Sequence, residues 1–124
     1  MAGFEDAGYR VDLATGTSGG GVVSLANTFG RAVVVTGLAL NLTTASTGAG
    51  TVDAGIAAAA TTSSDNLIDG ASTATIAVLN NGVNAGTNGK SAVTWKTDQF
   101  LTVSQASGAV AGLVGEAVIK FFPV

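Results

Sequence analysis

A two-residue rhythm constrains this chain more than any other feature. In "GLALNLTT", Leu38, Leu40 and Leu42 alternate with Ala39, Asn41 and Thr43. A period of two places the leucines on one face of an extended strand and the other residues on its opposite face. "TVDAGIA" repeats the rhythm, with Val52, Ala54 and Ile56 against Thr51, Asp53 and Gly55, and "QFLTVSQ" alternates Leu101 and Val103 with Thr102 and Ser104. Residues 9–13, 22–27, 32–36, 73–79, 93–97 and 115–122 form further strand-like runs. Gly, Ser, Asn and Thr clusters divide these runs at spacings of roughly ten residues, the pattern of an antiparallel β-sandwich or barrel. The sequence therefore predicts an all-β protein.

One segment competes with that reading. "AGIAAAATTSSDN" is rich in alanine, the best helix former. No apolar stripe at three- or four-residue spacing continues through it, so it reads as a strand end running into a long loop. Ahead of the alternating runs, "ATGTSGGG" (14–21) reads as a glycine-rich hinge. Residues 1–21 are accordingly expected to be an extended N-terminal arm with its hinge, and residues 22–124 the sandwich. A chain of 124 residues fits one domain.

Composition removes whole classes of chemistry. The chain has no cysteine, which excludes disulfides and thiolate metal sites. It has no histidine either, and so lacks the commonest general base and zinc ligand. Formal net charge is −3, and the five cations Arg10, Arg31, Lys90, Lys96 and Lys120 are scattered. No basic stripe results that could neutralise a nucleic-acid backbone, so direct nucleic-acid binding is not expected. No run approaches the roughly 20 apolar residues of a membrane helix. The acid-containing start "MAGFEDAGYRVDL" does not read as a secretory signal, and Met1 is expected to be the protein's own start.

Several motifs invite a functional reading. "NAGTNGKS" (84–91) approximates a phosphate-binding loop, but the position that needs the first glycine is Asn84, and β-type residues follow instead of a helix. It is read as a turn at Asn88-Gly89, where both residues tolerate positive φ. "GTSGGGVV" (16–23) has contiguous glycines, unlike the spaced glycines of a dinucleotide fingerprint. "SSDNLIDG" (63–70) offers Asp65 and Asp69 as calcium ligands, but too few acids are local, and a structural turn is the expectation. Asp53, Asp65, Asp69, Asp98 and Glu116 contain no pair marked out for glycosidase chemistry. Asn41-Leu42-Thr43 matches a glycosylation sequon without a secretory signal to bring it into use. Trp95 shares a face with Val93 and is expected in the core. Neither a catalytic set nor a cofactor or metal site is predicted, and the chain reads as a non-enzyme.

The C-terminal "LVGEAVIKFFPV" stays apolar to its last residue, whereas chain ends are usually polar and mobile. Burial in the core or by a neighbouring subunit would explain that. Phe4, Tyr9 and Arg10 of the arm, with Phe121, Phe122 and Val124 of the tail, are the predicted partner contacts.

The stretch "VTGLALNLTTASTGAGTVDAGIAAAATTSSDNLIDG", followed by "NAGTNGKSAVTWKTDQFLTVSQASGAVAGLVGEAVIKFFPV", resembles the capsid decoration (cement) proteins of tailed bacteriophages. The resemblance covers Val35 to Val124 and rests on the order of strand and Thr/Ala/Gly loop segments. It implies a jelly-roll β-sandwich on the exterior of the virion, bound to the major capsid protein, often as a homotrimer, clamping neighbouring shell subunits. Two other readings fit the same composition. One is a carbohydrate-binding or adhesin module that stacks Trp95 or Tyr9 on sugar; the other is a virion fibre or tail component.

Overall fold

Each alternating run becomes a strand where a second layer can bury its apolar face. The computed structural model describes residues 9–15 and 19–124. Among them are nine strands: β1 (Tyr9–Asp12), β2 (Val23–Ala26), β3 (Val33–Thr44), β4 (Gly50–Ala57), β5 (Ile68–Ser72), β6 (Val78–Asn80), β7 (Val93–Trp95), β8 (Phe100–Gly108) and β9 (Val114–Pro123). None of the described residues is helical, so the alanine run ends β4 and passes into a loop. The strands form two antiparallel sheets packed as a sandwich. The first has the order β1-β9-β3-β6, with β7 also on β3; the second has the order β2-β8-β4-β5.

The register turns the two-residue rhythm into a core. Leu38 lies opposite Ile119 and Leu40 opposite Ala117 in the first sheet. Ala54 lies opposite Val103 and Ile56 opposite Leu101 in the second. All eight are buried and belong to one apolar cluster between the sheets. Burying a leucine or isoleucine contributes about 1.5–3 kcal/mol, so this interleaved layer dominates stability.

The runs 32–36 and 37–44 are one strand, β3, because a register irregularity between Val35 and Gly37 absorbs the change of phase. On the same edge of β3, β7 pairs residues 33–35 and β6 pairs residues 39–41. Asn81 closes the gap between them. Its backbone N–H donates to Leu38 O (3.2 Å), and its side-chain Oδ1 accepts from Leu38 N (3.0 Å). Its Nδ2 donates to Lys90 O (3.0 Å), tying the following loop to the same spot.

Two sequence expectations need correction in this region. Residues 68–70 of "SSDNLIDG", read as turn, begin strand β5. Its inward residues Ile68 and Ala71 are three apart, across an irregularity in the β4–β5 register, so no period of two marks it. The run 73–79 supplies only Val78 and Leu79 to a strand, β6. Thr73 instead turns inward, its hydroxyl bonding to Ser46 Oγ (2.9 Å) and Gly50 O (3.2 Å).

The stretch expected to be an arm contributes the edge strand of the first sheet from Tyr9 onward. Tyr9 to Asp12 lie opposite Ile119 to Glu116, and Leu13 N continues the ladder to Gly115 O at 3.0 Å. Val11 supplies the cause, since its side chain packs against the core. Residues 1–8 and 16–18 lie outside the described residues, and the expected arm contact Phe4 with them. The described end of the glycine-rich stretch packs against the second sheet: Gly20 N donates to Ser104 Oγ at 2.8 Å.

Candidate interaction surface

The outward faces of the two sheets differ, and the difference begins with polar residues in β8. Thr102 and Ser104 sit at outward positions, as their alternation with Leu101 and Val103 requires, yet both are fully buried. The loop after β4 covers Thr102, and Gly20 of the glycine-rich stretch covers Ser104. Thr102 Oγ1 donates to Thr62 O (2.9 Å), Ser24 Oγ donates to Ala60 O (2.7 Å), and Asn66 exchanges two side-chain bonds with the backbone of Ile56. The second sheet is therefore roofed by its own chain.

Among the described residues, no such roof covers the first sheet. Its outward positions include Arg10 on β1, Val118, Lys120 and Phe122 on β9, Val34, Ala39 and Asn41 on β3, and Val78 on β6, all at least partly accessible. Phe122 is 51% exposed and Val78 58%, with Val114 at the start of β9 at 52%. Charge on this face is balanced. Arg10 forms an ion pair with Glu116 on the neighbouring strand, while Asp12 and Lys120 add one charge of each sign. The stem of Lys120 lies beside Gly37. Beside it, Gly37, Ala39, Asn80 and Val118 line a depression of about 190 Å³. A second, of about 240 Å³, lies between Asp12, Asn41, Thr43 and Glu116. Both fall below the roughly 300–1,000 Å³ of sites that enclose a small-molecule ligand.

The predicted contact residues divide between this face and one end of the sandwich. Arg10 and Phe122 are on the open face. Tyr9 and Phe121 point the other way, into an aromatic cluster centred on Phe29. Phe29 lies 6.1 Å from Tyr9, 5.6 Å from Trp95 and 4.5 Å from Phe121 between ring centroids. Asn27 positions the hub: its Oδ1 accepts from Phe29 N, and its Nδ2 donates to the carbonyls of Arg31 and Trp95. Tyr9 keeps 42% of its surface exposed, whereas Phe121 is half-buried against the core. Val124 is exposed at 67%, but its backbone is held, N–H to Ala32 O and carbonyl to the Arg31 guanidinium. Trp95 is fully buried, with Nε1 donating to Gln99 O at 3.0 Å, so it cannot stack on a sugar. Sequence reasoning did not name Val78, Val114 or Val118 among the contact residues. Alternation marks them as outward, but nothing local says which sheet is roofed.

The loop motifs resolve into one another. "NAGTNGKS" does gather backbone amides round an anion, and the anion is the protein's own Asp69. Thr87 N and Asn88 N both donate to Asp69 Oδ2 at 3.1 Å. The left-handed residue is Gly86 (φ +60°), pressed against the Asp69 backbone, and not Asn88 or Gly89 as the dipeptide suggested. Asp65 accepts from Asn88 Nδ2 (2.9 Å), and Asp53 on β4 accepts from Gly70 N (2.8 Å). Burial raises the Asp53 pKa above its ordinary 3.8; the Gly70 hydrogen bond opposes this, and the charges of Asp65 and Asp69 add to it. Among the described residues, no three acidic side chains converge closely enough to hold a metal ion. The carboxylates act as loop acceptors.

Neither a protein-family model, nor a curated protein, nor a solved structure matches this chain.

Proposed function

We propose that this chain is a non-enzymatic virion structural protein that decorates an icosahedral capsid and stabilises it by clamping neighbouring shell subunits. The observation that carries this reading is the asymmetry of the sandwich. One outer face is covered over Thr102 and Ser104 by the chain itself, and the other, among the described residues, has no such cover and carries Phe122, Val118, Val78 and Val114 among balanced charges. A contiguous exposed apolar patch rimmed by polar residues is a mark of a protein contact surface. Strand order supports the finer architecture. The orders β1-β9-β3-β6 and β2-β8-β4-β5, with β7 sharing the edge of β3 beside β6, suit a jelly roll, a double-sheet fold used by viral capsid and lectin domains.

The physics of the proposed role is mass action. A protein that binds the assembled shell and not its separated subunits stabilises the shell by RT ln(1 + [L]/Kd) at every site occupied. Homotrimers on three-fold positions would repeat one contact around a symmetry axis and clamp several subunits at once. Quantitative mass spectrometry of purified intact particles tests the reading through copies of this chain per copy of the major capsid protein. A ratio near one, within a factor of about three, is the expected result for a lattice-wide symmetric partner. A few copies per particle would assign the chain to a fibre or tail, and its absence from particles would remove the virion reading.

A further inference from the structure

Two Asn-Gly pairs occur in the chain, Asn81-Gly82 and Asn88-Gly89. This dipeptide is the most labile setting for asparagine, a thermolabile residue, because glycine leaves the following backbone nitrogen unhindered. The two pairs lie on the same β6–β7 connection, but the fold holds them very differently.

Asn81 is 7% exposed. Its amide oxygen accepts from Leu38 N, and its amide nitrogen donates to the carbonyls of Lys90 and Ser91. Those bonds close the gap between β6 and β7, so the side chain cannot leave without opening the sheet edge. Asn88 is exposed, and its amide makes one bond, to the Asp65 carboxylate at 2.9 Å. The attacking nitrogens do not account for a difference. Gly82 N is tied to Asn80 Oδ1 at 2.9 Å and Gly89 N to Ala85 O at 2.8 Å. What differs is the freedom of the side-chain carbonyl carbon to reach that nitrogen.

We infer that Asn88 is a site of spontaneous deamidation in the folded protein and that Asn81 is protected from it. Gly89 N loses its proton to solvent and bonds to Asn88 Cγ. The Cγ–Nδ2 bond breaks and ammonia departs, leaving a five-membered succinimide. Water opens the ring at either carbonyl, giving aspartate or isoaspartate at position 88. Only water is consumed. The product replaces the donor facing Asp65 with a carboxylate, beside Asp69, which already accepts from the residue's own backbone N–H. Like charges at that distance repel. The isoaspartyl form also lengthens the backbone next to Gly89, where an added Cβ would stand 2.4 Å from Ala85 O and 2.5 Å from Leu67 O. The modified loop between β6 and β7 should therefore loosen while the sheets stay intact.

Peptide mapping by mass spectrometry after incubation of the folded protein in mildly alkaline buffer tests this directly. Both asparagines lie in the single tryptic peptide 32–90, so fragmentation must localise the mass gain of a single dalton. In the folded protein the gain is expected to accumulate at Asn88 and not at Asn81. In denaturant both positions should convert, because the protection of Asn81 belongs to the fold. Equal rates at the two positions in the folded state, or a faster Asn81, would overturn the inference. Asn88→Asp supplies the second measurement. Faster hydrogen exchange at Thr87 and at position 88, with unchanged exchange in β3 and β9, is expected, and wild-type protection at these two amides would contradict the proposed consequence.

Discussion

Asp53 illustrates how a single side chain can work against the fold that holds it. It projects from β4 toward Asp65 and Asp69, and burial raises its pKa from 3.8. A carboxyl whose folded pKa exceeds its unfolded value favours folding most when protonated, and that contribution is lost as pH rises through the folded value. Asp53→Asn keeps an oxygen acceptor for Gly70 N and removes the charge. The variant and the wild type should have similar melting temperatures below the ordinary carboxylate range. As pH rises to neutrality, a gap should open in favour of the variant. A gap that does not change with pH would mean that Asp53 carries no such penalty. Trp95 is the opposite case, a buried group with its polar atom satisfied. Trp95→Phe leaves Gln99 O without its donor and an unfilled space beside Phe29, and should cost about 1–3 kcal/mol. The urea midpoint should be followed by circular dichroism, because Trp95 is the only tryptophan.

Strands announce themselves in a sequence to the extent that their neighbours leave them regular. β3, β4, β8 and β9 were legible because Leu38, Leu40 and Leu42, or Leu101 and Val103, alternate without interruption. β5 was hidden because its two buried residues straddle Asp69-Gly70, where the glycine adopts φ +70°. The candidate surface was half legible for a related reason. Phe122 and Arg10 could be read as outward-facing, but Thr102 and Ser104 looked equally exposed. Which face stays open depends on the β4–β5 loop folding back, a contact between segments some forty residues apart (Thr102 to Thr62). Gly55 is where sequence permits that closure. A Cβ there would stand 2.3 Å from Asn66 Oδ1 and 2.6 Å from Ser64 Oγ. Gly55→Ala should therefore lift the roof and cost about 1–3 kcal/mol, as overpacking does. Loss of hydrogen-exchange protection at Ile56 N, the donor to Asn66 Oδ1, should accompany the lower urea midpoint. Unchanged protection at that amide would mean the loop can move aside without releasing the sheet.

For the whole molecule, the two outer faces set up a test that separates recognition from stability. If the open sheet is the docking face, a charge placed at one of its exposed apolar residues should harm binding and spare folding. Phe122 is suited to this. It is 51% exposed, it lies outward opposite Val34, and its neighbour Phe121 fills the aromatic cluster in its place. Phe122→Asp introduces an anion that the free protein can hydrate, so stability should fall by no more than about 1 kcal/mol, the span of strand preferences. In a closed interface the same anion would be desolvated without a partner, a penalty of several kcal/mol. Binding to particles stripped of the protein should then weaken at least a hundredfold, while Thr94→Asp, on the edge strand β7 across Val34 from Phe122, should change binding much less. A rim charge generally affects the rate of association more than affinity. Equal loss for both variants would point to general repulsion from the shell and not to a defined contact. Undiminished binding by Phe122→Asp would move the docking surface elsewhere, with the Tyr9 end of the sandwich the next place to look, since Tyr9 keeps 42% of its surface open beside Phe29.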